Sequence, residues 1–148
     1  MRILISFILI SLLFLSGCIN QETSLAEWSE AQAEREENIV SSVISEKDFS
    51  GCSDYPSRSS CIKNAAEEIK DINVCTSQSN LNNESEIEYC YVGVAKGLVD
   101  ASVCDNIKDP FRKIAVCYYG VGRKLNDSSI CQRLQDSQER AACIDFLN

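Results

Sequence analysis

Nine cysteines and no histidine limit the chemistry that this chain can perform. A thiol can carry a lipid, join another thiol, bind a metal ion or attack a substrate. Without imidazole, a Ser–His–Asp triad, a Cys–His pair and histidine metal ligands are all excluded. No two cysteines are separated by only two residues, so the spacing of a thioredoxin-like redox site is absent. The cysteines are therefore expected to serve anchoring and structure.

Cys18 stands apart from the others, directly behind an apolar N-terminal run. Met1-Arg2 is a short basic start, and residues 3–15 are apolar except for two serines. This pattern is typical of a signal peptide and is too short for a comfortable membrane span. The sequence Leu15-Ser16-Gly17-Cys18 resembles the lipobox of prokaryotic lipoproteins. The resemblance implies that residues 1–17 are a lipoprotein signal peptide and that a diacylglycerol is attached to the Cys18 thiol.

The same resemblance implies a location. Acyl chains on Cys18 would hold the protein at the cell membrane, or at the outer membrane of a two-membrane bacterium because Ile19 follows the cysteine. Residues 18–23 would be a lipidated tether, and the folded part would be extracytoplasmic, where disulfides persist. An uncleaved anchor, or a conventional signal peptide with a chance cysteine, is the alternative. The net charge of −8 argues against nucleic acid as a partner.

The other eight cysteines belong to a repeat. The segment from each repeat's second cysteine to the next repeat's first has one constant length, as in Cys61–Cys75, Cys90–Cys104 and Cys117–Cys131, and a truncated copy begins at Cys143. Apolar or small residues follow the second cysteine at +1, +4, +5 and +8. In the first three copies, +8 is occupied by Ile69, Leu98 and Leu125. This spacing describes one face of an α-helix.

Capping residues delimit each repeat. One set lies four residues before each repeat's first cysteine and is expected to cap a short helix: Asp48, Asp71, Asp100 and Asp127. A second set lies seven or eight residues before each second cysteine and is expected to cap a longer helix: Asp54, Asn83, Asp109 and Asp136. Glycines within the longer helices indicate close approach of a neighbouring helix: Gly93, Gly97, Gly120 and Gly122.

The predicted fold is all-α, a short solenoid-like array of disulfide-stapled helical hairpins with an N-terminal capping helix. The capping helix spans 24–47 and begins with a capping box of Ser24 and Glu27. Residues 48–148 form four cysteine-paired hairpin repeats, at about 48–70, 71–99, 100–126 and 127–148.

Two disulfide schemes fit the repeat. The hairpin scheme joins Cys52–Cys61, Cys75–Cys90, Cys104–Cys117 and Cys131–Cys143, uses every one of these cysteines and repeats identically. The shifted scheme joins Cys61–Cys75, Cys90–Cys104 and Cys117–Cys131. It leaves Cys52 and Cys143 without a partner. It must also bridge both ends of one helical segment, roughly 15–20 Å apart. We favour the hairpin scheme, and the shifted scheme remains the alternative.

The repeat pattern itself resembles one that occurs in other proteins. Cys104-x-x-Ile107-x-Asp109 and Cys131-x-x-Leu134-x-Asp136, each followed by a cysteine that opens an apolar helix, resemble cysteine-paired helical repeats of uncharacterised archaeal and bacterial surface proteins. The resemblance covers about residues 48–148. It implies an architecture and no activity, and the first two repeats depart from it around Cys52 and Cys75.

These observations favour a lipid-anchored interaction or structural module of the cell surface or envelope. We expect it not to be an enzyme, with no catalytic residue, metal site or cofactor, and with the membrane and a protein or envelope component as partners. The alternative is an envelope enzyme or enzyme inhibitor using carboxylate chemistry, for which acidic side chains with raised pKa values would meet in a cleft. Copper(I) storage is a further alternative, although close CxxxC pairs are absent and Met1 is the single methionine.

Two segments match the N-glycosylation sequon, Asn83-Glu84-Ser85 and Asn126-Asp127-Ser128.

Overall fold

The computed structural model describes residues 26–76 and 80–147, so Cys18, the lipobox and the predicted capping box of Ser24 lie outside the described residues. The chain divides into two compact units, one ending at Asn38 and the other beginning at Ile39. In the first unit, residues 26–38 are helical and almost entirely solvent-exposed.

The second unit opens with helical residues 39–46, which contact the core of that unit. Val43 is buried, and Ile39, Val40 and Ile44 pack against the core cluster. Their spacing places all four side chains on one face of a helix. This segment is the part of the predicted capping helix that lies within the second unit.

Four helical hairpins follow, each a short segment and then a long helix. Hairpin 1 consists of Phe49–Asp54 and Arg58–Ile69, and hairpin 2 of Asn73–Thr76 and Glu84–Leu98. In hairpin 3, Ala101–Asn106 precedes a long helix that is π-helical over Arg112–Tyr118 and α-helical over Tyr119–Leu125. Hairpin 4 consists of Ser128–Arg133 and Ser137–Leu147. The part of the chain that the structure describes contains no strand, which confirms the all-α prediction. Three of the four short segments are 3₁₀-helices.

The first set of predicted caps is confirmed. Each aspartate carboxylate accepts a hydrogen bond from a backbone N–H two residues ahead, at 2.8 Å for Asp48, Asp100 and Asp127 and at 3.0 Å for Asp71. These bonds satisfy a donor that the first helical turn leaves free.

The second set is confirmed for three of its four members. Asn83 accepts from the N–H of Glu86 at 3.0 Å, Asp109 from that of Arg112 at 2.7 Å, and Asp136 from that of Glu139 at 2.9 Å. The prediction for Asp54 is wrong. The long helix of hairpin 1 begins after Ser57, which makes no side-chain cap. Tyr55 precedes Pro56 and is extended, with ψ of 141°, because the proline ring disfavours the helical conformation of the preceding residue.

The turns between repeats share one conformation. Lys47, Lys70, Val99 and Asn126 have φ between 53° and 55° and are the last residues of the predicted capping helix and of the first three predicted repeats. After two of them the next N–H reaches back five residues, as in the Schellman motif: that of Asp100 donates to the Ala95 carbonyl at 2.9 Å, and that of Asp127 to the Gly122 carbonyl at 3.1 Å. A left-handed residue therefore follows the capping helix and the long helices of hairpins 1, 2 and 3.

Four disulfides join the two segments of each hairpin: Cys52–Cys61, Cys75–Cys90, Cys104–Cys117 and Cys131–Cys143, with Cα–Cα distances of 5.6, 5.6, 5.8 and 5.7 Å. These are the pairs of the hairpin scheme, and none of the pairs of the shifted scheme is present among them. The eight cysteines are at most 1% exposed and belong to the core cluster.

The helical face predicted from the repeat is buried at +4 and +5 in the first three copies. At +1, Ile62 and Tyr118 are buried, whereas Tyr91 and Ile144 pack only partly against the core, and +8 is not buried. Ile69 packs partly against the core, whereas Leu98 and Leu125 are 46% and 48% exposed. Each of these two leucines is the last helical residue before the left-handed turn. Their side chains therefore lie at the end of the hairpin, where nearly half of each is exposed.

Two of the predicted glycine contacts are backbone contacts. A Cβ atom on Gly93 would lie 2.2 Å from the Lys63 carbonyl oxygen, and one on Gly97 would lie 2.0 Å from that of Glu67. The close approach is confirmed. Between Gly93 and Gly97 the contacted residue also moves four positions towards the C-terminus, from Lys63 to Glu67. The long helices of hairpins 1 and 2 therefore run parallel. Gly120 and Gly122 instead face the side chains of Lys96 and Leu147 most closely.

The π-helical turn accompanies an extra residue. Asp109 precedes Cys117 by eight positions, whereas Asn83 and Asp136 precede their cysteines by seven. A π-helical i→i+5 hydrogen bond encloses one more residue than the α-helical bond does. The π-helical segment therefore absorbs the extra residue and keeps Cys117 in register with Cys104.

Candidate functional site

Two buried glutamates on the long helix of hairpin 2 are the first candidates for chemistry, although nothing in their sequence spacing marks them as a site. Glu86 and Glu88 are 7% and 4% exposed. A carboxylate in such a position must be paired or protonated. Their partners decide between a catalytic acid and a structural ion pair.

Glu86 faces hairpin 1. Its Oε1 accepts from Nε of Arg58 at 3.0 Å, and its Oε2 accepts from the N–H of Asn82 at 2.8 Å. Arg58 also donates to the Phe49 carbonyl at 3.1 Å and to the Asn80 carbonyl at 2.8 Å. This ion pair therefore ties together the two segments of hairpin 1 and the turn of hairpin 2.

Glu88 faces hairpin 3. Its Oε1 accepts from the N–H groups of Lys108 and Asp109 at 2.8 and 3.0 Å, and its Oε2 accepts from Nη1 of Arg112. The Arg112 guanidinium lies 4.7 Å from the centre of the Tyr89 ring. Both carboxylates thus have acceptor positions occupied by structural donors.

A third carboxylate joins three successive repeats. Glu67 on hairpin 1 pairs with Lys96 on hairpin 2 at 2.9 Å and with Lys124 on hairpin 3. Lys124 also donates to the Lys96 carbonyl at 3.2 Å. Burial raises the pKa of Glu67, but the hydrogen bonds and charges of Lys124 and Lys96 outweigh it and hold the pKa below its ordinary value.

The remaining shifted carboxyls are caps, and all shift in the same direction. The N–H of Asn73 lowers the pKa of Asp71, and hydrogen bonds from Ser102 and Ser129 lower those of Asp100 and Asp127. None of these groups has the raised pKa of a general acid. The part of the chain that the structure describes also contains no cluster of potential metal ligands. Within the same ranges, no helix has the length and apolarity to cross a membrane.

A groove between hairpins 3 and 4 is the best candidate for a binding site. It has a volume of about 450 Å³, and its lining mixes aromatic and polar side chains, chiefly Tyr119, Arg123, Asn126, Asp127 and Phe146. That volume lies within the range of about 300–1,000 Å³ that ligand pockets occupy. We call it the Tyr119 groove.

The aromatic side chains of the Tyr119 groove are held in place by contacts with one another. The rings of Tyr119 and Phe146 meet edge to face, with centres 6.3 Å apart. Arg123 lies 5.8 Å from the centre of the Tyr119 ring and donates to its hydroxyl at 3.1 Å. Within the described ranges Arg123 forms no ion pair. The groove therefore offers a positioned cation and two aromatic rings to a polar partner.

A second groove, of about 420 Å³, is lined by charges of both signs, including Asp105, Lys113, Arg133 and Glu139. Lys113 pairs with Asp105 at 3.7 Å, and the buried Tyr118 donates to the same carboxylate at 2.9 Å. Burial raises the pKa of the Tyr118 hydroxyl, so it remains a neutral donor. These charges compensate one another, which makes this groove the weaker candidate.

The two sequons differ in their surroundings. The Asn83 side chain caps the long helix of hairpin 2, so its amide is already in a hydrogen bond with Glu86. Asn126 is exposed, has a left-handed backbone and lines the Tyr119 groove. A sequence pattern alone does not distinguish them, because both read Asn-x-Ser.

Comparison of the chain with protein-family models, with curated proteins and with solved structures finds no match.

Proposed function

We propose that the protein is a lipid-anchored interaction module of the cell envelope. In this proposal acyl chains on Cys18 hold it at the membrane, residues 18–23 form the tether, and the hairpin array presents a rigid surface to a protein or envelope component. The folded domain is extracytoplasmic, and it uses no nucleic acid, metal or cofactor.

The proposal rests on four buried disulfides that follow the sequence Leu15-Ser16-Gly17-Cys18 in the chain. Disulfides of this kind persist in oxidising compartments, and a chain that reaches such a compartment needs an export signal. The lipobox resemblance supplies that signal and an anchor at the same time. Two or more acyl chains hold a protein stably, whereas a single chain is marginal.

The Tyr119 groove supports the binding part of the proposal. Aromatic rings and arginine are the side chains that contribute most at binding surfaces. Arg123 is already positioned on Tyr119, so little side-chain entropy is lost when a partner arrives.

The anchor is tested by replacing the acylated residue. Cys18→Ser is expected to leave the precursor unprocessed or to move the protein out of the detergent phase on Triton X-114 partitioning. Ser16→Ala is the matched control, since a small residue is retained there. If the Cys18→Ser protein is processed and partitions like the wild type, the anchor is wrong.

The binding surface is tested with the folded domain, residues 19–148. Arg123→Ala and Tyr119→Ala are expected to reduce capture of a partner from envelope extract, while Lys113→Ala in the second groove leaves it unchanged. Helical circular dichroism of each variant controls for folding. Capture that is equal for all variants would place the binding surface elsewhere.

A further inference from the structure

The helical residues of the first unit, 26–38, have a composition that gives them no core of their own. The segment contains five glutamates and a single arginine, Arg35. Its exposed side chains are polar on nearly every side of the helix. Trp28 is the exception, and it is 74% exposed. It is also the single tryptophan of the sequence. A helix with this composition has no apolar face to pack and needs contacts outside itself to be stable. Exposure of the apolar indole ring to water is also unfavourable.

The distance along the chain from Trp28 to Cys18 is short. Ten positions separate them, and a chain of that length reaches at most about 36 Å when fully extended. If Cys18 carries the lipid, its thiol lies at the level of the lipid headgroups. The indole of Trp28 is then confined to a layer next to the membrane surface, where the local concentration of lipid is high.

Tryptophan is suited to that layer. Its ring is apolar, while the indole N–H needs a polar partner, and the side chain accordingly concentrates at membrane–water interfaces. One tryptophan binds a bilayer weakly by itself. A tether converts that weak contact into an intramolecular one, so the anchor and the indole support each other.

We infer that Trp28 inserts its indole into the headgroup layer of the membrane that holds the anchor, as a second point of contact next to Cys18. The inference rests on the lipidation proposed above. The glutamates around Trp28 determine the kind of lipid: Glu27 and Glu30 flank it, and Glu34, Glu36 and Glu37 follow. Anionic lipid repels this cluster, so the contact is made with a neutral or zwitterionic surface.

The single tryptophan makes the test direct. The eight paired cysteines leave the Cys18 thiol of the unacylated chain, residues 18–148, free for coupling to a maleimide-bearing lipid in phosphatidylcholine vesicles. Tryptophan emission is expected to shift to shorter wavelength, acrylamide quenching to fall, and brominated lipid to quench the emission. Uncoupled protein mixed with the same vesicles is expected to show none of these changes. The Trp28→Phe protein is the control for background emission.

Vesicle charge gives a second measurement. Raising the phosphatidylglycerol content is expected to restore acrylamide quenching of the coupled protein, and added salt is expected to reverse that effect because it screens the glutamates. Protection that increases with anionic lipid would overturn the lipid assignment.

Chemical coupling separates this inference from the anchor. If coupled Trp28 stays fully quenchable, the inference fails, whatever the state of Cys18 in the cell. If the protein extracted from cells carries no acyl group, the mass of its N-terminal peptide shows that the proposed anchor fails, and the inference fails with it. Shielding of Trp28 that appears only when envelope proteins are added would replace the lipid surface with a protein partner.

Discussion

Glu88 and Arg112 form a buried ion pair across the junction between hairpins 2 and 3, with their side chains 5% and 18% exposed. Two backbone N–H groups of the hairpin 3 turn donate to the same carboxylate. Glu86, on the same helix, makes the corresponding connection to Arg58 in hairpin 1. A single helix therefore fixes its neighbours on both sides through charge as well as packing.

Removing the charge of Glu88 is expected to be costly. Glu88→Gln leaves Arg112 buried without its counter-ion, which typically destabilises a protein by about 3–5 kcal/mol. Glu84→Gln is the matched control, because its pair with Lys108 is exposed and such pairs contribute about 0–1 kcal/mol. Urea unfolding monitored by circular dichroism measures both. Equal effects for the two variants would contradict the structural role of Glu88.

Alanine is expected to have opposite effects at two glycines. Gly97→Ala would place a Cβ 2.0 Å from the Glu67 carbonyl oxygen, and overpacking of this kind costs about 1–3 kcal/mol. At Gly120 the nearest atom is Cδ of the Lys96 side chain, at 3.1 Å, and a shift of a few tenths of an ångström would accommodate the new Cβ. Gly120→Ala is therefore expected to gain up to about 1 kcal/mol from helix propensity. Thermal unfolding of the two proteins gives the sign, and destabilisation by both would show that hairpin 3 is as tightly apposed as hairpin 2.

The left-handed turn after hairpin 1 offers a stabilising change. Lys70 has φ of 55°, a conformation that costs an L-residue about 1–2 kcal/mol and costs glycine little. Lys70→Gly is expected to raise the free energy of unfolding by about 1 kcal/mol, since its side chain forms no ion pair in the described chain. Lys63→Gly, inside the long helix of the same hairpin, is expected to lower it by a similar amount. Destabilisation by Lys70→Gly would show that packing of the Lys70 side chain contributes more to stability than the left-handed backbone conformation costs.

The disulfides are expected to carry much of the stability. The Cys131→Ala/Cys143→Ala double variant opens a loop with a sequence separation of 12, and closing a loop of this size contributes about 2–4 kcal/mol. The thermal midpoint should fall, with loss of helical circular dichroism. In the native protein, reductant alone should act slowly because the cysteines are at most 1% exposed. Rapid reduction without loss of helicity would point to a working dithiol instead.

Acid is expected to destabilise the fold through groups whose pKa is lowered. The pKa of Glu67 lies below its ordinary 4.5, and those of Asp71, Asp100 and Asp127 lie below 3.8. A lowered pKa in the folded state contributes stability above the ordinary value and loses it as the pH falls through the folded value. Thermal midpoints should therefore fall from about pH 4.5 downward. Glu67→Gln should flatten part of that loss, and an unchanged pH dependence in this variant would contradict the role of Glu67.

Local features of the fold could be predicted from the sequence. Seven of the eight predicted caps accept the expected backbone hydrogen bonds, because an N-cap depends on residues within three positions. The exception is Asp54, where Pro56 holds the preceding Tyr55 in an extended conformation.

Features that depend on the neighbouring repeat could not be predicted in the same way. Nothing in the spacing of Glu88 distinguishes it from the exposed Glu84, and its burial follows from the position of the hairpin 3 turn. The exposure of Leu98 and Leu125 is likewise not visible in the repeat pattern, because Ile69 occupies the same position and packs partly against the core. The Tyr119 groove combines side chains from two hairpins, so no single repeat contains its pattern.

The pairing of cysteines next to each other in sequence has a consequence for how the chain acquires its bonds. If the protein is exported as proposed, it emerges residue by residue, and Cys61 appears while Cys52 is the nearest available thiol. Each later pair meets in the same order. Every native bond can then close before the following cysteine appears, within a loop of 9 to 15 positions. We therefore expect oxidative folding during emergence to need little disulfide reshuffling, the step that takes seconds to hours when wrong pairs form first.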